Sequence, residues 1–273
     1  MNERIMKIRR MAREIRRESL TMIHTAQSGH PGGSLSEADI IATLYFDEMN
    51  LQPDEPTWEG RDRFILSKGH ACPAFYSALA LRGYYNKAEL CKLRAFGSGL
   101  QGHPVKDKMP GIEMTTGSLG QGLSVAVGIA LAAKRDGSRI RVYTLLGDGE
   151  CNEGQVWEAA MTASKYRLSN LCAIIDHNGL QNDSTTADIQ PIENFEERFS
   201  AFGWHCITIN GHDAVQIISA FDEVKQCQSR PSCIIARTIK GKGVSFMENV
   251  VAWHGTAPND DEYHCAMKEL EVL

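Results

Sequence analysis

Two short motifs hold oxygen donors at a spacing that suits a hard cation. They are Gly147-Asp148-Gly149-Glu150 and Ile174-Ile175-Asp176-His177-Asn178-Gly179-Leu180, with Asp148 and Asn178 thirty positions apart (178 − 148 = 30). Arg141 to Leu146 precedes the first and Leu171 to Ile175 the second, and both are apolar, β-branched runs that read as buried strands. Each motif therefore falls at a strand's carboxyl end. If the strands are parallel, with Glu153 to Tyr166 as the crossover helix, Asp148 and Asn178 open on the same sheet edge, where α/β folds bind ligands. Mg2+ or Ca2+ takes oxygen ligands, and Mg2+ is usually held by one or two carboxylates together with phosphate oxygens. Gly149 lets backbone approach such a phosphate closely. The pair reads as a metal and diphosphate site. A lone Gly-Asp-Gly is a common turn; two motifs on consecutive strand ends say more.

At these residues the chain resembles the transketolase family of thiamine-diphosphate enzymes. Ser28-Gly-His-Pro-Gly-Gly33, Asp62-Arg-Phe-Ile-Leu-Ser-Lys-Gly-His70, Gly102-His-Pro104, Thr115-Thr-Gly-Ser-Leu-Gly-Gln-Gly122 and Trp253-His-Gly255 are similar to its segments, in its order. The resemblance spans roughly the whole chain but only the family's first portion, which grips the cofactor's diphosphate. It implies a metal site of Asp148, Asn178 and Leu180, the last through its carbonyl. It also implies cofactor contacts from His70, Gly117, Ser118, Leu119, Gly149, Glu153, Asn178 and Lys240. His30, His103 and His254 are implied as catalytic groups touching the sugar's oxygens. Asn182 stands where the family usually has an apolar residue against the thiazolium ring, Ser184 replaces a common Gly, and Gly33 replaces a small polar residue. These departures imply a changed local shape and a lost diphosphate contact.

Each of these residues also has a plainer reading. A single histidine is more often a satisfied surface or core residue than a catalyst. His30, His70, His103 and His254 differ in sitting in Gly- or Pro-flanked loops, where backbone can approach a ligand, and imidazole donates or accepts near neutral pH. His24, His177, His205, His212 and His264 read as structural. Glu153 opens a helix, where a carboxylate favours the helix dipole whatever its role. Lys240 follows a strand and reads either as a solvated charge or as a cation for a diphosphate. Gly97-Ser-Gly-Leu-Gln-Gly102 satisfies a dinucleotide-binding pattern literally, but it lacks a strand before it and a helix after it, which excludes a nicotinamide or flavin site.

The elements that must carry these groups alternate as an α/β, doubly wound, mostly parallel sheet requires, with helices on both faces. Helices are expected over 3–27, 36–49, 73–83, 119–135, 153–166, 213–227 and 260–271, the second opening on a Ser36 cap. Strands are expected near Phe64 and over 140–146, 171–176, 205–209 and 233–239. Segments 96–118 and 178–194 read as long functional loops. Residues 1–273 read as one diphosphate-binding domain.

Composition excludes several classes. The 273 residues carry 29 basic and 34 acidic side chains, a net charge of −5, which offers no bulk attraction for nucleic acid or anionic lipid. No apolar run approaches the roughly 20 residues of a membrane span. The basic start from Arg9 to Arg17 is interrupted by Glu14 and reads as an ordinary helix rather than a targeting segment. The eight cysteines include no Cys-x-x-Cys pair, which suits a reduced cytoplasmic setting, and Cys151 reads as structural.

The expectation is the N-terminal subunit of a split transketolase, moving a two-carbon ketol unit from a ketose to an aldose with thiamine diphosphate and Mg2+ or Ca2+. The family's pyrimidine-binding and C-terminal domains are then expected on a partner chain. That chain would supply the activating Glu, in a heterotetramer of two plus two. The alternatives are another thiamine-diphosphate enzyme subunit, for ketol transfer on a modified sugar such as a sulfo-sugar or for 2-oxo acid chemistry, and a non-catalytic cofactor-binding relative.

Overall fold

The apolar runs expected as strands lie side by side in one five-stranded sheet, ordered β1-β2-β3-β5-β4 and parallel throughout. In the computed structural model, which describes residues 3–192 and 194–272, these strands are β1 (Arg63–Leu66), β2 (Val142–Gly147), β3 (Leu171–His177), β4 (His205–Asn210) and β5 (Ser232–Arg237). Met1, Asn2, Leu273 and Glu193, the last inside the loop expected over 178–194, lie outside the described residues. The register sets Val142 against Leu171 and Gly147 against Asp176, so the ends of β2 and β3 finish level.

Alternation along the strands divides the core in two. Phe64, Tyr143, Leu145, Cys172, Ile174 and Ile234 point to one face, and Ile65, Val142, Leu146, Ala173, Ile175 and Ile235 to the other. Helices α1 (Glu3–Ala26), α3 (Ala38–Thr43), α4 (Cys72–Arg82) and α9 (Ala214–Gln226) cover the first face. The second is covered by α5 (Gln121–Arg135), α6 (Gly154–Lys165) and α8 (Phe195–Ala201). The sheet is doubly wound, and α6 is the crossover between β2 and β3. In α1 the buried positions Ile8, Ala12, Ile15, Ser19 and Met22 recur every three or four residues, which places one stripe against the core. A smaller cluster joins Leu20 and Leu35 to Val244, Met247 and the C-terminal helix α10 (Asp260–Glu271).

The helix expected over 36–49 is not one element. It breaks into α2 (Pro31–Ser36), α3 and a wider turn over Leu44–Glu48. Ser36 does not cap the second piece, because its hydroxyl donates to Gly33 O at 3.0 Å and to Asp176 Oδ2 at 2.5 Å. The loop 178–194 contains the single turn α7 (Thr186–Ile189), and α8 follows directly; neither is expected from the sequence.

Candidate active site at the strand ends

All five strands deliver a polar side chain to the same edge. Lys68 follows β1, Asp148 follows β2, Asn178 follows β3, His212 follows β4 and Lys240 follows β5. Asp148, 2% exposed, ties the two sequence motifs together. Its Oδ1 accepts the Gly149 N–H at 2.8 Å and its Oδ2 the Gly179 N–H at 2.5 Å. Asn178 donates from Nδ2 to Asp176 Oδ2 at 3.2 Å, and its Oδ1 accepts the Leu180 N–H at 3.1 Å. Burial raises the Asp148 carboxyl to about 6, against the opposing pull of the Gly179 N–H.

Lys240 closes the opposite wall. Its Nζ donates to Leu180 O at 3.0 Å and Gln181 O at 3.3 Å, and lies 2.7 Å from His254 Nδ1. Burial lowers this ammonium to about 8. His30, His70 and His254 form a triangle of rings, with centroids 5.0 Å apart for His30 and His70, 5.5 Å for His30 and His254, and 5.2 Å for His70 and His254. Burial, reinforced by neighbouring cations, lowers His254 to about 3 and His30 to about 4, and holds His70 well below the usual imidazole range. All three are neutral at physiological pH, and each can donate from one nitrogen and accept at the other.

A cavity of about 490 Å3 joins these groups, and His30, His70, Leu119, Asp148, Asn178, Leu180, Lys240 and His254 line it. Gly117, Gly149 and Glu153 also line it, as do Gly33 and Asn182, the two departures that face it. His103 and Ser118 do not. His103 is exposed and packs over Gly117, where an added Cβ would come within 3.0 Å of its ring. Ser118 is exposed beside the lining residues Gly117 and Leu119. Ser184 donates to Asp188 Oδ2 at 3.1 Å in the adjoining turn. Glu153 is the N-cap residue of α6 and makes no side-chain cap bond. A larger cleft of about 690 Å3 lies between Arg61, Arg63 and the loop 106–113, but Glu113 already engages Arg61 Nε and Nη2 at 2.9 Å each.

At the cavity floor, which Lys68 and Glu150 help to line, lies a buried charge network with no counterpart in the sequence reading. Lys68 Nζ sits 2.5 Å from Asp176 Oδ2 and 2.8 Å from Glu37 Oε2. Asp176 also accepts from Ser36, Thr238 and Asn178. These bonds and the Lys68 charge outweigh desolvation and keep the Asp176 carboxyl below its usual range, whereas burial pushes Glu37 up to about 8. Glu150 is buried too, accepting from Ser67 Oγ, from Gly120 N at 2.8 Å and from Gly147 N at 3.1 Å. At the rim, Arg94 donates to Ser28 Oγ at 2.9 Å and lies 3.4 Å from His30 Nδ1. Glu37 and Arg94 have no local signature. Lys68 and Asp176 stand inside recognised motifs, yet nothing local marks them as a buried pair.

Among the described residues no group of three or more His, Cys, Asp or Glu side chains is arranged to hold a metal. The implied site needs none, since its donors are one carboxylate, one amide oxygen and one carbonyl. Asp148 Oδ1 and Oδ2, Asn178 Oδ1 and Leu180 O each accept a single hydrogen bond here and keep a further lone pair. Asp148 is a buried carboxylate raised by desolvation, a cost that a divalent cation offsets. The oxygen set fits Mg2+ or Ca2+, and two buried ammoniums, Lys68 and Lys240, in one cavity fit a diphosphate.

Comparison with known proteins agrees with this geometry. The sequence model for the thiamine diphosphate binding domain of transketolase matches residues 7–271. The chain belongs to the transketolase family and carries its thiamine-diphosphate-binding domain. It is 45% identical over 271 residues to the 6-deoxy-6-sulfo-D-fructose transketolase subunit SqwG of Clostridium sp. (strain MSTE9), covering 99% of this chain and 98% of that one. It is 42% identical over 255 residues to one of the subunits of the apulose-4-phosphate transketolase of Phocaeicola vulgatus, covering 93% and 90%. The crystal structure of transketolase from Campylobacter jejuni superposes with a TM-score of 0.93 at 34% identity, covering 99% of this chain and 43% of that one.

Proposed function

We propose that this chain is the diphosphate-binding subunit of a two-subunit transketolase. It would transfer a two-carbon ketol unit from a ketose to an aldose. The observation that carries the proposal is the meeting of Asp148, Asn178, Leu180, Lys240 and three neutral histidines around one cavity. Asp148, Asn178 and the Leu180 carbonyl would hold Mg2+ or Ca2+, and Lys240, His70 and the Gly149 backbone would meet the diphosphate. Thiamine diphosphate, when bound, supplies the nucleophilic carbon and electron sink for breaking the bond beside a ketose carbonyl.

The chain's own residues do the orienting and the proton handling. His30 and His254, neutral and held in fixed ring contact, offer donors and acceptors to sugar hydroxyls at the cavity wall. His103 stands outside that wall on Gly117 and would reach a substrate entering from solvent. Glu153, exposed at the start of α6 and lining the cavity, is available to a partner chain that would complete the site. Arg94 puts a guanidinium beside His30 at the rim, which suits an anionic sugar, whether phosphate or sulfonate. Relatives named as subunits for a sulfo-sugar and a sugar phosphate support that substrate class. Being named as subunits, they also support a partner chain, which would carry the activating Glu in a two-plus-two assembly.

The test is co-purification with a candidate partner, followed by a ketol-transfer assay with xylulose 5-phosphate and with 6-deoxy-6-sulfofructose as donors. Transfer that requires thiamine diphosphate and divalent metal supports the reading. A stable two-subunit complex that binds the cofactor yet transfers nothing from either donor would overturn it.

A further inference from the structure

His212 reads as structural in the sequence, yet its ring bridges two parts of the molecule, the start of α3 and the turn after β5. Its Nδ1 lies 2.9 Å from Asp39 Oδ2, and its Nε2 accepts the Ile239 N–H at 2.8 Å. Asp39 is itself held by Arg16, with Nη2 to Oδ2 at 2.5 Å, while Arg16 Nε donates to Leu35 O at 3.1 Å. Arg16 and Asp39 are 2% and 8% exposed. An ionised carboxylate only accepts and a backbone N–H only donates, so the two partners leave one tautomer, protonated on Nδ1 and bare on Nε2.

The residue after Ile239 is Lys240. Its backbone is held on the far side by Gly241 N donating to Gly32 O at 3.0 Å and by Asn249 N donating to Lys240 O at 2.9 Å. The direction of the lysine stem is thus set by bonds on both flanks, one of them from His212. A buried ion pair is a poor device for stability, because desolvating two charges offsets much of their attraction. This one ends on the amide next to the cavity's ammonium.

We propose that Arg16, Asp39 and His212 form a buried strut that positions Lys240 for a diphosphate, with His212 a positioning residue rather than a catalytic one. The proposal rests on the assignment of Lys240 to the diphosphate. His212 takes no part in the chemistry; it holds the Ile239 amide, and Asp39 and Arg16 hold His212. Glutamine can replace the imidazole in kind, since its Oε1 accepts the Ile239 N–H and its Nε2 donates to Asp39.

The experiment titrates the full chain with inorganic pyrophosphate in the presence of Mg2+, by calorimetry, alongside thermal melting. Lys240→Ala is expected to weaken pyrophosphate binding strongly. His212→Ala is expected to weaken it on the order of tenfold, as loss of an outer orienting partner typically does, and His212→Gln to recover most of that loss. Long-range 15N–1H spectra of the unmodified chain should show His212 protonated on Nδ1 alone, and exchange of the Ile239 amide should be slow. If Lys240→Ala leaves affinity unchanged, or the unmodified chain binds no pyrophosphate, the diphosphate assignment fails and the strut fails with it. If Lys240→Ala weakens binding but a folded His212→Ala does not, the strut alone is overturned. Should His212→Ala fail to fold, a His212 ring protonated on Nε2 would overturn it equally.

Discussion

Asn178 donates its Nδ2–H to Asp176 Oδ2 at 3.2 Å, and this bond decides which end of the amide is presented as a donor oxygen. An unrestrained amide would flip between two nearly isosteric orientations. Asp176, fully buried and also bonded to Lys68, Ser36 and Thr238, has only acceptor oxygens to offer. The nitrogen therefore turns inward, and Oδ1 is left to Leu180 N and to a cation.

Asp176→Ala should for that reason weaken Mg2+-dependent thiamine diphosphate binding by about 10- to 100-fold. It should also destabilise the fold by roughly 3–5 kcal/mol, since it leaves Lys68 buried with only Glu37 beside it. Calorimetric titration and denaturant melts check the two parts separately. Unchanged affinity in a folded variant would mean that the amide is oriented by something else.

Asp148→Ala removes the one carboxylate of the proposed metal set. Metal-dependent cofactor binding should vanish, while the fold loses only about 1–3 kcal/mol for the unpaired Gly149 and Gly179 amides. Titration with and without Mg2+ measures this, and undiminished Mg-dependent affinity would sink the metal assignment.

The Asp148 and Asn178 pair was legible in the sequence because strand, motif and spacing are local, and a parallel pairing brings them together at once. The insertion of β5 between β3 and β4 was not legible, since strand order depends on helix packing over the whole sheet. The buried network was hidden for a related reason. Glu37, Lys68 and Asp176 come from three distant segments, and charged residues in a sequence read by default as solvated. Ser36 misled in the opposite direction: its type suits a helix cap, but tertiary contact with Asp176 claimed the hydroxyl. Ser118 followed from resemblance alone and His103 from resemblance together with its Gly- and Pro-flanked loop, and both stand outside the cavity wall.

Glu37→Gln tests the protonation of that network. Burial raises the Glu37 carboxyl from 4.5 to about 8, so between those values the folded protein keeps a proton that the unfolded chain has released. The stabilising contribution is complete below pH 4.5 and is lost as pH rises towards 8. The melting temperature of Glu37→Gln relative to the unmodified chain should therefore climb between about pH 4.5 and 8 and level off above. A difference that stays flat across that window would place Glu37 as an ordinary ionised partner of Lys68.

His103 and His254 should separate kinetically. His103 touches neither Lys240 nor the proposed metal donors, so His103→Ala should lower kcat and kcat/KM together, by about 10²- to 10⁴-fold, with cofactor affinity unchanged. His254 Nδ1 lies 2.7 Å from Lys240 Nζ, so His254→Ala should weaken cofactor binding as well as turnover. Steady-state kinetics at saturating cofactor, paired with cofactor titrations, resolve the two. Loss of cofactor affinity in His103→Ala would move that residue into the diphosphate site.

The last prediction concerns the partner. Glu153 and His103 are exposed beside the cavity, Phe96 is fully exposed, and Ile189 on the cavity rim is 48% exposed. Apolar and functional groups left open at the cavity rim, with Phe96 two residues beyond Arg94 in the chain, suit an interface more than a finished active site. The sulfo-sugar and apulose relatives that this chain spans almost end to end are both named as subunits, and the solved Campylobacter transketolase is more than twice as long as the matched region. Purified alone, this chain should transfer no ketol unit on the proposed reading, in which another polypeptide would supply the activating Glu and the second wall of the cofactor pocket. Mixed with that polypeptide, it should form a complex of two copies of each, with the site closed between unlike chains. Light scattering gives the mass, and transfer from a ketose phosphate or sulfonate gives the activity. Phe96→Asp should loosen the complex without altering the melt of the isolated chain. Full activity from the chain alone would refute the two-subunit reading, and a tight complex indifferent to Phe96→Asp would move the interface to another face.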